Sequence, residues 1–173
     1  RELTVGLSAE PEWVHWLAAE HLLDKFVATV ENMANGQSPR KLLAFMAPEG
    51  RFAVVERDGV EYLDPKGYAR YDRVALAFAS IDGARAAQLL GKLQPWLDQA
   101  YSEMGRPGRR FEQALADAVQ LLLDVPIVED DIALMREEVN LKFQDEKLES
   151  MSPAAKHLFR MGPENIRRVQ ANL

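Results

Sequence analysis

The chain contains no cysteine, which removes thiol nucleophiles, thiolate metal sites and disulfides together. That absence leaves the compartment open, because oxidising and reducing spaces both accept a cysteine-free chain. Long apolar runs are missing too: an uncharged stretch as long as any, Val74 to Ile81, has 8 residues, whereas a membrane-spanning helix needs about 20. No basic start precedes an apolar core, so no signal peptide is read. The chain opens at Arg1 rather than at methionine, and the expectation is that a preceding segment, with any membrane anchor, was trimmed away. Gly 10 and Pro 9 are too few for a collagenous or low-complexity segment.

What is present describes one soluble domain over residues 1–173. The 173 residues are 47% apolar and 28% charged, enough to bury a core without a disulfide or metal staple. The net charge of −6 is uneven: an acidic block, residues 125–152, directly precedes a basic tail, residues 153–173. Those two faces pair with one another or are simply solvated, or else the tail forms a basic docking face for an acidic partner. Nucleic acid is excluded, because the overall charge is negative and the tail carries few basic residues.

Apolar spacing reads as helix nearly throughout. Ser8, Pro11 and the acids Glu10 and Glu12 start a first helix with Trp13, Trp16 and Leu17 on one face. A second carries Leu23, Phe26, Val27, Val30 and Met33, and ends at Asn35-Gly36. Between residues 51 and 63 the period changes to two around Asp58-Gly59, a hairpin signal that sets Val55 opposite Tyr62 and Glu56 opposite Glu61. Helical stripes resume from Tyr68, from about 84 to 104 with a kink or restart expected near Leu93 before Pro95, and from about 109 to 123. Residues 127–144 fit strand and helix alike. Ser152-Pro153 opens another helix, Gly162 stops it, and Pro163 launches the last. The fold expected is mainly α: a compact multi-helix single domain with one small antiparallel hairpin at about residues 51–63.

Chemistry-bearing motifs are scarce. His15, His21 and His157 have no zinc spacing, no Gly-x-Ser-x-Gly elbow or glycine-rich phosphate loop exists, and Glu129-Asp130-Asp131 lacks a calcium loop's pattern. No catalytic, cofactor-binding or metal-binding residue is assigned, and no cofactor is expected. Glu56 and Glu61 are the one paired-carboxylate candidate, beside a solvated turn. The densest interaction-prone cluster is Tyr62, Tyr68, Arg70, Tyr71, Asp72 and Arg73. Tyrosine and arginine offer large area and directional donors at contact surfaces, although these tyrosines could equally seam the hairpin to the helices.

Three segments in this order, Phe26 to Asn32, Tyr62 to Pro65 with Tyr68 to Asp72, and Arg160 to Asn165, resemble the bacterial family called domain of unknown function 3014. The resemblance runs from about Trp13 to the end. It implies a Gram-negative envelope protein: a short cytoplasmic start, one membrane helix, a proline-rich linker and this domain in the periplasm, tethered to the inner membrane. The family brings no established activity and no catalytic residue. The expected function is a non-catalytic module binding an envelope protein or cell-wall component, with Tyr62, Tyr68, Arg70, Tyr71, Asp72, Arg160, Asn165 and Arg167 as partner-binding candidates. A hydrolase using dispersed carboxylates (Glu56, Glu61, Asp64 and Asp72) and a structural dimerisation domain are the alternatives.

Overall fold

The computed structural model describes residues 6–50, 52–105, 108–137 and 140–173. The expectations that touch Arg51, Arg106, Pro107, Glu138 and Val139 fall outside those residues. Pro11 presets the backbone of α1 (Pro11–Trp16), and the Ser8 hydroxyl accepts the Glu10 N–H at 3.0 Å just ahead of it. The next helix, α2 (Leu22–Ala34), buries Val27 and Val30 and ends where Gly36 takes a φ of 70°.

The Asp58-Gly59 turn has positive φ at both residues, 51° and 78°, as a type I′ turn requires. It joins β1 (Val54–Arg57) to β2 (Val60–Leu63) in the register expected, Val54 opposite Leu63, Val55 opposite Tyr62 and Glu56 opposite Glu61. The ribbon has neighbours, however. Residues 127–144 supply β3 (Ala133–Glu137) and β4 (Asn140–Phe143), and β3 pairs with β2 to give an antiparallel sheet in the order β1-β2-β3-β4. Local spacing left that segment ambiguous; cross-strand pairing decides it. Leu63, Leu134 and Phe143 share the buried face, while Met135 points outward and is 48% exposed.

Between the hairpins the chain is helical. A 3₁₀ segment, Pro65–Tyr71, leads into α3 (Asp72–Ala79), so the stripe expected from Tyr68 becomes regular helix only at Asp72. Next comes α4 (Gly83–Glu103), 21 residues that continue through Pro95 without a restart, with Leu97 and Tyr101 buried beyond it. Then follow α5 (Phe111–Leu123), α6 (Glu146–Ser150), α7 (Pro153–Phe159) and α8 (Pro163–Gln170). Ser152 caps α7 by accepting the Ala155 N–H, as its sequence position suggested. Among the described residues no helix is long and apolar enough to cross a membrane.

Two apolar clusters form. One joins Val27 and Val30 of α2, Leu97 and Tyr101 of α4, and Phe111, Ala114 and Ala118 of α5. The other lies under the sheet: Leu63, Ile132, Leu134 and Phe143 meet Leu158 and Phe159 of α7 and Ile166 and Val169 of α8. Helix α5 binds the clusters together, because its Leu121 and Leu122 pack on the second. Each large side chain so buried contributes about 1.5–3 kcal/mol.

Candidate functional site

The expected site residues cluster where the 3₁₀ segment meets the turn between α7 and α8. Asp64 caps that segment by accepting the Lys66 N–H at 2.9 Å, and Pro65 fixes its first backbone angle. Tyr68 then presses its ring against Gly162. A Cβ on Gly162 would lie 2.4–2.9 Å from three Tyr68 carbons, and its φ of 86° and ψ of 162° belong to glycine. Helix α7 can therefore stop and α8 start within one residue, with the Tyr68 ring in the space a side chain would fill.

Asn165 locks the same junction. It is 2% exposed, and its amide nitrogen lies 3.2 Å from the Tyr68 carbonyl, 3.0 Å from Asp72 Oδ1 and 3.1 Å from the Met161 carbonyl. Its amide oxygen accepts from Arg168 Nη1 at 3.0 Å. Asn165 is thus turned inward, and it and Asp72 hold the 3₁₀ segment to α8. Tyr68 and Tyr71 both pack on the sheet cluster, so these two form a seam, which Tyr62 does not join. Burial pushes the Tyr68 hydroxyl above its ordinary pKa, and the Asp131 and Asp64 carboxylates push it the same way.

Arg70 is half-buried beside this seam. Its guanidinium lies 4.6 Å from the centre of the Tyr71 ring and 5.9 Å from that of Phe52, and Nη2 donates to the Tyr71 hydroxyl at 2.7 Å. Its Nε is buried and has no hydrogen-bond partner. Arg70 and Arg160 line one crevice, together with Phe52, Ala53, Leu63, Asp64, Gly67 and Tyr68. Arg160 lies 5.7 Å from the centre of the Phe143 ring. Below it, burial depresses the His157 pKa, and the positive charges of Arg160 and Arg40 lower it further.

Two candidates lie apart from that crevice. Tyr62 is on the sheet's outer face under the Arg57 guanidinium, 4.6 Å from the ring centre, and Arg57 is paired with Asp131 at 2.7 Å. That pairing raises the pKa of Arg57 and lowers that of Asp131, their hydrogen bond being the main cause. Arg167 bonds to Glu129 and faces Glu164 at 3.6 Å. The acidic block and basic tail do pair in part: Arg167 takes Glu129, and Lys156 takes Glu149 at 2.6 Å. Burial favours the neutral form of Glu149, yet the Lys156 and Phe143 N–H bonds prevail and hold its pKa low.

The carboxylates weighed for hydrolysis have separate duties. Glu56 is exposed, Glu61 bonds to Arg136, Asp64 caps the 3₁₀ segment and Asp72 holds Asn165. An open groove of about 600 Å³ between the C-terminal end of α5 and helices α6 and α7 carries Asp117 and Asp124 on its rim. Asp117 bonds to Arg109 and Asp124 accepts from Gln120.

One polar group escaped the sequence reading. Glu31 is 2% exposed in the helical cluster, where Tyr101 donates to it at 2.7 Å and Asn35 at 2.8 Å. Its position was the signal, since an acid four residues after Val27 and one after Val30 lies on the apolar face of α2.

A model of one family, Protein of unknown function (DUF3014), matches residues 22–173. The chain belongs to that family. The DUF3014 match takes in both clusters and every candidate residue, and begins at Leu22 rather than near Trp13. Comparison with the curated proteins and with the solved structures gave no match.

Proposed function

We propose that the domain is a non-catalytic interaction module of a cell-envelope protein, receiving an envelope protein or a cell-wall component in the periplasm while tethered to the inner membrane. The observation that carries this reading is the surface around Arg70, where a guanidinium, the Tyr71 ring and the exposed Phe52 sit side by side on a locked base. Aromatic and arginine side chains held this way offer contact area at small entropic cost. The Gly162–Tyr68 contact and the Asn165 hydrogen bonds fix the backbone beneath, which suits a surface that binds without rearranging. The envelope location rests on the family resemblance.

The test is photo-cross-linking from position 52 in the intact protein in its own cells, with a benzophenone amino acid in place of Phe52. One specific adduct with another envelope component is expected, with none from the exposed Gln88 on α4. An adduct only with a second copy of this chain would favour the dimerisation alternative, and no specific adduct would remove the module reading.

A further inference from the structure

We infer that Arg70 and Arg160 form a receptor for a carboxylate carried on an acidic peptide segment of the partner. This rests on the interaction-module reading and names the chemistry its surface recognises. The tail has four basic residues, and three have carboxylate partners: Lys156 with Glu149, Arg167 with Glu129, and Arg168 with Glu164 at 3.3 Å. Arg160 has none among the described residues, and neither has Arg70. Both nevertheless line one crevice. Exposed Arg40 also lacks a carboxylate partner among the described residues, but it does not line this crevice. Here two are turned to the same place.

Arg70 supplies the directional part. Nη2 is engaged by the Tyr71 hydroxyl, while the buried Nε lacks an acceptor. A buried donor without an acceptor is unfavourable, and a small side-chain opening at the crevice would let an incoming oxygen relieve it. The Tyr71 and Phe52 rings, 4.6 and 5.9 Å away, and the bond to the Tyr71 hydroxyl limit the orientations the guanidinium can take.

Size and sign select the ligand. The crevice is small, about 10 Å³, so a ligand enters it with a single oxygen and is held mainly by the charge at its mouth. Asp64 stands on the wall, its Oδ1 engaged by the Lys66 N–H, and it penalises a dianion more than a monoanion. A lone carboxylate would bind feebly through so small a contact. The exposed Phe52 and Val54 beside the crevice supply the apolar area that a peptide backbone and side chains would cover.

The Arg70 Nε–H resonance in a ¹⁵N spectrum, assigned through its loss in Arg70→Lys, observes the orphan donor directly. Titration of the whole domain with hexaglutamate should move that resonance, while hexaglutamine should leave it in place. Arg70→Gln and Arg160→Gln should each weaken hexaglutamate binding at least about tenfold, and Arg70→Lys should restore part of it. Circular dichroism establishes that each variant is folded. An unmoved Nε–H signal, equal binding of hexaglutamine, unchanged affinity in Arg160→Gln, or tighter binding of inorganic phosphate would each overturn the assignment. A specific adduct from position 52 alongside an unmoved Nε–H signal would leave the module reading standing and remove the carboxylate receptor alone.

Discussion

In the cluster of α2, α4 and α5 the buried polar anchor is a carboxylate, Glu31, whereas beneath the sheet it is a neutral amide, Asn165. The two hold their surroundings by different means. Glu31 only accepts, and the Tyr101 hydroxyl and Asn35 amide donate to it. Asn165 donates to the Tyr68 carbonyl and accepts from Arg168, so it ties two segments together without adding charge. A neutral anchor suits the second place, because the cationic crevice of Arg70 and Arg160 lies beside it and an additional buried carboxylate would cancel part of its field.

Gly162 gives the largest test of that difference. Gly162→Ala adds a Cβ inside the Tyr68 ring and a forbidden backbone angle, so urea unfolding should show a loss of about 3 kcal/mol or more. Glu31→Ala should cost about 2–3 kcal/mol, and Glu31→Gln less, because an amide oxygen can still accept from Tyr101. Asn165→Ala should cost about 2 kcal/mol and also shift the amide signals of the 3₁₀ segment, which the Glu31 variants should leave in place. Equal spectral effects from both anchors would erase the distinction between the two regions.

Smaller effects separate charge from packing. The folded pKa of His157 is depressed by burial, so below its ordinary value of 6.5 the unfolded chain binds the proton more readily. Stability should be full above that value and fall on acidification from pH 7.5 to 5.5, by up to about 1 kcal/mol, and His157→Gln should flatten the profile. A stability that rises on acidification would reverse the sign assigned to His157. Arg167→Ala, which removes an exposed pairing with Glu129 and Glu164, should change stability by less than about 0.5 kcal/mol.

Local chemistry made much of the fold legible. Asp58-Gly59 set the first hairpin and its register, and Ser152-Pro153 and Gly162-Pro163 marked the boundaries of the last two helices. What stayed hidden depended on distant partners. The strand-like alternation of Val139, Leu141 and Phe143 competed with the helical spacing of Leu134, Met135, Glu138 and Leu141 until β2 supplied an edge for β3. The helix over α4 survived Pro95 because Leu97 and Tyr101 have a core to fill beyond it. At the candidate site, Tyr and Arg composition pointed to Arg70 and Tyr71. No spacing rule could show that Phe52 and Arg160 stand beside Arg70, or that Asn165 is turned inward.

Whether Arg70 and Arg160 serve the fold or a partner is settled most directly by one paired measurement on the Arg70→Gln, Arg160→Gln variant: urea unfolding beside cross-linking from position 52. The expected result is a stability change under about 1 kcal/mol with loss of the adduct. A loss of about 2 kcal/mol or more with the adduct retained would make both arginines part of the scaffold and contradict the assignment.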